Sequence, residues 1–174
     1  MMRVDGNCIW CQKHRHHSML YLKGKSQPMI CVRRARSADV DAIFDIRTSV
    51  TQNHLTHEQL LEMGISPNVV TETLESAECG WIAEVDGQPA AFAIVDFEDA
   101  SVFALFVKPS FEGRGLGHLL MDKAEKALFA SHETIWLETD ASPDIRANGF
   151  YQKRNWIAVG VDDKGDVRYE KKRG

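Results

Sequence analysis

Residues 109–120, "PSFEGRGLGHLL", constrain the fold more than any other stretch of this chain. An apolar segment, "DASVFALFVK", leads into them, and an amphipathic one, "GHLLMDKAEKALFASH", leads out. This order predicts a strand, a turn and a helix, and successive backbone amides at a helix N-terminus bind anions. Gly113, Gly115 and Gly117 have no Cβ, so the backbone can approach a phosphate closely. The stretch therefore predicts a pyrophosphate site, to which Arg114 adds a positive side chain.

Two nucleotide-binding motifs and one purely structural turn compete with this interpretation. A Walker A loop needs a Lys followed by Ser or Thr after its last glycine, and no such pair follows Gly117. A dinucleotide fingerprint needs G-x-G-x-x-G after the first strand, whereas the spacing here differs and several predicted strands come first. A turn that merely begins a helix stays open as an alternative, although such a turn does not need three glycines.

Hydrophobic patterning predicts a sheet of seven strands. Asp86 and Gly87 predict the turn of one hairpin, and Asp163, Lys164 and Gly165 that of another. The predicted order is β, two or three α, three β, α, β, α and two β. The fold class is accordingly α/β (α+β), a single mixed, mostly antiparallel sheet with helices on both faces. The predicted strands are "MICVRRA", "GWIAEV", "QPAAFAIVDF", "DASVFALFVK", "TIWLETD", "WIAVGV" and "DVRYEKK".

Local signals place the ends of the predicted helices. Ser37 is expected to cap a first helix over "ADVDAIFDIRTSVTQNHL", and Gly64 to stop a second over about residues 58–63. Ser66 and Ser142, each followed by Pro, are expected to cap two further helices. The helix after the glycines should pack on the sheet through one apolar stripe. The stripe comprises Leu116, Leu119, Leu120, Ala124, Ala127 and Leu128.

Length and charge narrow the class of protein. A chain of 174 residues suits one domain, expected over residues 29–174, after a flexible tail over 1–28 that could also reflect an upstream start codon. The tail carries five Lys or Arg and one Asp, a net +4, and the remainder 16 Lys or Arg and 24 Asp or Glu, a net −8. Such an acidic body suits a cationic acceptor and lacks the basic face of nucleic-acid binders.

With neither a signal peptide nor an apolar run of ~18 residues, we expect a cytoplasmic protein without membrane contact.

Two of the four cysteines lie in the tail, at Cys8 and Cys11. His14, His16 and His17 follow them, and thiolate and imidazole are zinc ligands. No second ligand pair at a zinc-finger spacing is present, so we expect no metal and free thiols. A zinc-dependent adaptor is kept as an alternative function.

The glycine segment resembles the acetyl-CoA loop of the GNAT superfamily of N-acetyltransferases, which reads [QR]-x-x-G-x-[GA]. Gly115 and Gly117 match, and Glu112 replaces the Gln or Arg. The resemblance covers about residues 30–172. It implies acetyl-CoA as co-substrate, with Phe106 and Val107 pairing through their backbone with its pantetheine arm. It also implies that backbone amides bind the pyrophosphate, namely those of Gly113, Gly115, Leu116, Gly117 and His118.

The second family signature, N-x-x-A-x-x-[FL]-Y-x-x-x-G-F, falls on residues 144–156. Ala147, Phe150 and Tyr151 match it. Three positions differ: the signature's asparagine, glycine and phenylalanine are replaced by Asp144, Asn155 and Trp156, respectively. Asn155 is a tolerable substitute for glycine, because asparagine adopts a left-handed backbone more readily than most residues. Asn148, one turn after Asp144, is the expected substitute for the lost CoA contact.

The resemblance implies transfer of an acetyl group to a primary amine by direct attack in a ternary complex. Tyr151 matches the family's tyrosine and is the expected proton donor to the departing thiolate. A backbone N–H near Phe106 or Val107 would stabilise the oxyanion. The base is left open among Glu84, Glu98, Asp99, Glu138 and a chain of water, or the amine arrives neutral, because Ser101 stands where some relatives carry glutamate.

The acceptor is expected to be a small molecule, amino acid or peptide that enters along residues 47–56. Glu112 is expected to turn its carboxylate outward, away from the phosphates. Dimers are common in the resembled family, so a homodimer is one option. A non-catalytic acyl-CoA-binding or sensor protein on the same fold stays as the alternative function.

Overall fold

The computed structural model describes residues 27–174. The strands are β1 (Ile30–Arg34), β2 (Gly80–Val85), β3 (Gln88–Asp96), β4 (Ser101–Val107), β5 (Thr134–Asp140), β6 (Ile157–Val161) and β7 (Asp166–Lys172). The α-helices are α1 (Val40–Ser49), α2 (His57–Glu62), α3 (Pro67–Ser76), α4 (Leu116–Leu128) and α5 (Arg146–Lys153). Short 3-10 turns cover Ser37–Asp39 and Pro109–Phe111. The predicted order of elements is confirmed.

The seven strands form one mixed sheet in the order β1-β2-β3-β4-β5-β7-β6. Every neighbouring pair is antiparallel except β4 and β5, which are parallel. Asp86 and Gly87 both have positive φ, 52° and 79°, and form the predicted tight turn between β2 and β3. The predicted fold class, a mostly antiparallel sheet with helices on both faces, is confirmed.

Alternation along β4 places α1 and α4 on opposite faces of the sheet. The Phe106 ring lies under the Arg47 guanidinium of α1, whereas Leu105 lies beside Gly117 of α4. Neighbouring strand residues point to opposite faces, so both faces carry a helix. The buried core is contributed mainly by Ile43, Phe44, Ile46, Ile82, Phe92, Leu116, Leu120, Met121, Leu128, Ile135 and Leu137.

Three local predictions need correction. Ser37 does not cap an α-helix: it begins the 3-10 turn, where the Asp39 carboxylate accepts from the Arg36 N–H, and α1 starts at Val40 and ends at Ser49. Ser142 does not cap α5 either, because the Asp140 carboxylate binds its N–H in a turn and the helix starts at Arg146. Leu119 lies outside the buried stripe of α4 and is 40% exposed.

Other local predictions hold. Ser66 caps α3 by accepting from the Val69 N–H, and Pro67 occupies its first position. Gly64 follows α2 with a φ of +80°. Asn155 has a φ of 63°, so asparagine takes the left-handed conformation that its place in the signature requires. Cys79 is buried, and burial raises the pKa of its thiol.

The expectations for residues 1–26 lie outside the described residues. They concern most of the segment expected to form a tail, including Cys8, Cys11, His14, His16 and His17. Residues 27–28 belong to no helix or strand and are exposed. Within 27–174, no helix is both long enough and apolar enough to cross a membrane.

Candidate active site

The main cleft opens where β4 and β5 separate. Their only paired residues are Ser101 and Trp136, at one end of the two strands. Beyond that pair, β4 from Val102 and β5 from Leu137 become the two walls of a cleft of about 770 Å³, a volume typical of ligand sites. The N-terminal part of α4 and one side of α5 complete it.

A β-bulge in β4 lies where the strands begin to separate. Ile94 and Val95 of β3 face Ala104 and Val102, so that Phe103 is the extra residue of β4. A bulge bends its strand and increases the local twist. Phe103 is accordingly 60% exposed, although it belongs to a central strand.

Beyond the bulge, one edge of β4 faces the cleft without a strand partner. The Lys108 N–H donates to the Ala90 carbonyl of β3 at 2.8 Å. Because amide direction alternates along an antiparallel strand, Phe106 also directs its N–H towards β3. Leu105 and Val107 therefore direct their N–H and C=O groups into the cleft. Of the two strand residues expected to pair with a ligand, Val107 has the available amide.

The glycine segment closes one end of the cleft with unpaired amides. Gly113 and Gly115 have φ values of +73° and +80°, which a side chain disfavours, and Gly115 is the residue before α4. The first backbone bond of the helix runs from the Leu119 N–H to the Gly115 carbonyl. Over residues 113–118, no backbone N–H has an acceptor among the described residues. These amides and the positive end of the helix dipole suit an anionic group.

The side chains around these amides are held by neighbouring groups. Arg114 lies 5.2 Å from the Phe111 ring centre. The His118 ring contacts Phe150 edge-on at 4.9 Å, and Arg154 lies 3.2 Å from its Nδ1. These contacts keep both side chains beside the loop and leave its amides accessible.

Glu112 does not turn outward as expected. Its carboxylate forms an ion pair with Arg146, at the start of α5, with a distance of 2.6 Å between Nη2 and Oε2. Both residues line the cleft, so the pair joins its two sides beside the glycine segment. Arg146 is therefore a cationic site residue that sequence reasoning missed.

Tyr151 lines the cleft from α5, at the wall opposite β4. Only 7% of its surface is exposed, and its ring contacts those of Phe150, Trp156 and Tyr169. Burial, with a smaller effect of Tyr169, raises the pKa of the Tyr151 hydroxyl to about 12. No described protein group forms a hydrogen bond with that hydroxyl. It therefore keeps its proton at neutral pH and is available to donate it.

Behind Tyr151 lies an ionic cluster that the sequence did not reveal. The Glu125 carboxylate of α4 accepts from Arg154, Lys171 and the indole of Trp156, at 2.9 to 3.2 Å. The cluster ties α4, the end of α5 and β7 together. It fixes Trp156, and through it the ring of Tyr151.

Asn148 has its side chain engaged within the protein. Its amide nitrogen donates to the carbonyls of Asp140 and Ser142, and its oxygen accepts from the Tyr169 hydroxyl. It does not line the cleft. Asn148 therefore ties the loop after β5 to α5, and we leave it out of the proposed ligand contacts.

The segment expected to guide the acceptor does line the cleft. Arg47, Val50, Thr51, Gln52 and Asn53 contribute to it, together with Met63. The Gln52 amide donates to the Asp144 carbonyl and accepts from the Arg146 N–H. The loop after α1 is thereby linked to the start of α5.

Among the candidate bases, only Glu138 lines the cleft. Glu84 pairs with Arg33 at 2.7 Å in a cluster that includes Asp39, away from the cleft. Glu98 and Asp99 bind the Asp96 carboxylate through their amides in the turn after β3. His132, at the end of α4, contacts the Phe97 carbonyl.

Residues 27–174 contain no group of three or more His, Cys, Asp or Glu placed to hold a metal ion.

The sequence model of the acetyltransferase (GNAT) family matches residues 40–156. The chain belongs to the GNAT acetyltransferase family. The matched residues include α1, the glycine segment and both predicted signatures, so the family resemblance is confirmed. Within this GNAT protein, the cleft between β4 and β5 is the candidate active site.

Solved structures share the fold of this GNAT chain. The PaiA N-acetyltransferase from Thermoplasma acidophilum, in complex with coenzyme A, is 16% identical, with a TM-score of 0.71 over 83% of this chain and 99% of its own. An N-acetyltransferase from Staphylococcus aureus Mu50 is 18% identical, with a TM-score of 0.67 over 83% and 98%. The ribosomal-protein-S18-alanine N-acetyltransferase from Escherichia coli is 20% identical, with a TM-score of 0.62 over 82% and 92%. No curated protein sequence matches the chain.

Proposed function

We propose that this GNAT protein is an N-acetyltransferase that uses acetyl-CoA to acetylate a primary amine of a small molecule, amino acid or peptide. The observation that carries the proposal is the cleft between the separated strands. Unpaired amides of residues 113–118 lie at one end of it, and Tyr151 lies in its wall. Acetyl-CoA supplies a thioester whose acetyl group passes directly to the amine in a ternary complex.

The cofactor contacts are assigned by the chemistry of each part of the cleft. The amides of Gly113, Gly115, Leu116, Gly117 and His118 would hold the pyrophosphate. The cleft-facing amides of Val107 and Leu105 would pair with the pantetheine arm, as an added strand pairs with a sheet edge. Arg114 would contribute positive charge near the phosphates.

The chain's own groups divide the chemical work. The amine nitrogen bonds to the carbonyl carbon of the thioester, and the C–S bond breaks. A cleft-facing N–H of β4 stabilises the oxyanion formed on attack. Tyr151 gives its proton to the departing thiolate. The attacking nitrogen loses one proton, which Glu138 or solvent accepts, so the number of protons is unchanged overall. Glu138 is our preferred base because it alone among the candidates lines the cleft.

The second candidate is a non-catalytic acyl-CoA-binding or sensor protein on the same fold. Ser101 favours it, because it replaces the glutamate of some relatives and is buried at the closed end of the strands. The retained Tyr151 favours the enzyme.

Steady-state release of the CoA thiol, measured with a panel of amines, tests the proposal. Turnover with at least one amine, and formation of its N-acetyl product, is the expected result. CoA binding without turnover across the panel would favour the binding protein instead. Homodimerisation stays a prediction, which sedimentation of the purified protein tests.

A further inference from the structure

The Arg47 side chain lies at the junction of two cavities. It lines the main cleft and also a smaller cavity of about 220 Å³ between the sheet and the helices α1 to α3. Its guanidinium carbon lies 4.3 Å from the ring centre of Phe106, a distance typical of a cation–π contact. The ring therefore fixes the guanidinium beside β4, where an acceptor would have to enter.

Arg47 is a half-buried cation without an anionic partner. Its Nη1 is buried and has no hydrogen-bond partner among residues 27–174. Burial lowers the pKa of the guanidinium, which reflects the cost of removing it from water. Lys108, nearby at the end of β4, shows the usual arrangement, since it pairs with Asp45 at 2.5 Å. A half-buried guanidinium with no anionic partner and an unsatisfied Nη1 costs stability, so a ligand anion explains its position better than stability does.

The smaller cavity next to Arg47 is apolar. Among the described residues that line it, Arg47 alone is charged. Its volume exceeds the roughly 150 Å³ of an apolar cavity that holds benzene. Met63 and Phe103, both more than half exposed, belong to both cavities. An apolar group of about phenyl size therefore fits beside the guanidinium.

We infer that the acceptor is an amine that also carries a carboxylate and an apolar side chain, as an apolar α-amino acid does. The inference rests on the proposed function, whose acceptor it specifies. Arg47 binds the carboxylate through charge-assisted N–H···O bonds, and the cavity takes the side chain. The amine is left to face the main cleft. A cationic acceptor without a carboxylate, for which the acidity of the chain was suited, would instead meet a positive charge at this point.

Calorimetric binding of reaction products tests the inference without requiring turnover. The probes are N-acetyl-leucine and N-acetyl-phenylalanine, each compared with its carboxamide, with and without saturating CoA. For the wild type, we expect the acids to bind about 10- to 100-fold more tightly than the amides, the range for hydrogen bonds between charged groups. Arg47→Met should abolish this preference, and Arg47→Lys should retain part of it.

Lys108→Met is the matched control, because it removes a neighbouring cation that already has a partner. It should leave the preference for acids unchanged. Arg47→Met should unfold at the same temperature as the wild type or higher, since an unpaired buried charge is removed. Equal binding of acids and amides, no binding of either acid, or a preference that survives Arg47→Met would overturn the inference. Turnover of amines that lack a carboxylate, without these preferences, would overturn it and leave the proposed function standing.

Discussion

The two ends of the cleft are built from different parts of the chain. At the glycine segment, the groups that face the ligand are backbone amides of consecutive residues, 113–118. At the acceptor end, they are side chains from separate elements: Arg47 of α1, Met63 after α2 and Phe103 of the β4 bulge. The first end suits a ligand that many proteins share, since backbone amides are common to all residues. At the second end, each substitution changes the shape or charge of the surface, which suits the end proposed to select the acceptor.

The comparison also separates the roles of strain and burial. Gly113 and Gly115 adopt backbone conformations that side chains disfavour, so the loop depends on residue type at those positions. At the end proposed for the acceptor, the partial burial of the Arg47 guanidinium lowers the stability of the protein, because the charge loses part of its contact with water. Four substitutions test the roles proposed for residues of the cleft, from the largest expected effect to the smallest.

Tyr151→Phe should reduce kcat by about 100-fold or more, because it removes the proton donor to the thiolate. CoA affinity should not change, since the ring keeps its contacts with Phe150 and Trp156. Because the pKa of Tyr151 is about 12, the wild-type rate should not decline on the alkaline side until the pH approaches that value. Steady-state kinetics over a pH series measures both.

Tyr169→Phe is the control for this substitution, since that hydroxyl donates to Asn148. Its kcat should stay within about threefold of the wild type, because it removes two neutral hydrogen bonds outside the chemistry, one to Asn148 and one from Gln152. Equal losses in the two variants would mean that Tyr151 acts through packing and not as an acid.

Glu138→Gln should lower kcat/KM by about 100-fold at neutral pH, the low end for loss of a general base. The loss should shrink as the pH approaches the pKa of the amine, about 10, because the acceptor then arrives deprotonated. Glu98→Gln, in the turn before β4, should have no effect. If the pH profile of Glu138→Gln is identical to that of the wild type, a chain of water, and not Glu138, accepts the proton of the amine.

Gly115→Ala should lower the free energy of unfolding by about 1 kcal/mol, because alanine disfavours a φ of +80°. CoA affinity should fall by about tenfold as the amides shift out of alignment. Gly117→Ala is the matched control: its added Cβ would meet Phe150 at an ordinary 3.6 Å, and its φ is not positive. It should bind CoA as the wild type does. The reverse ranking of the two variants would contradict the account of the loop.

Glu112→Gln should leave CoA affinity unchanged or slightly higher, within about threefold. The substitution breaks a partly exposed ion pair, a type worth at most about 1 kcal/mol, and releases Arg146 beside the glycine segment. Titration of CoA into both proteins measures the difference. A loss of more than tenfold would show that the Glu112–Arg146 pair shapes the loop.

The sequence was sufficient for features that depend on local chemistry. The order of elements followed from periodicity, and the positive φ of Gly115 and Asn155 fits the two family signatures. The cap formed by Ser66 depends only on its own helix. Each of these lies within one short segment.

Features that depend on distant partners could not be predicted. The first N–H of α5 is capped by Gln52, 94 residues earlier, which explains why Ser142 does not perform this role. The position of Phe103 depends on register with β3, and the environment of Arg47 on residues of three helices that line the smaller cavity. The partners of Glu125 come from two other elements.

Thermal unfolding with and without acetyl-CoA or CoA tests the central claim most directly, namely that the cleft between β4 and β5 binds the cofactor. At 100 times the Kd, either ligand should stabilise the protein by about 2.7 kcal/mol. NAD at the same concentration serves as the control and should produce no comparable shift, because the glycine spacing does not fit a dinucleotide. An unchanged unfolding temperature with both acetyl-CoA and CoA would contradict the account.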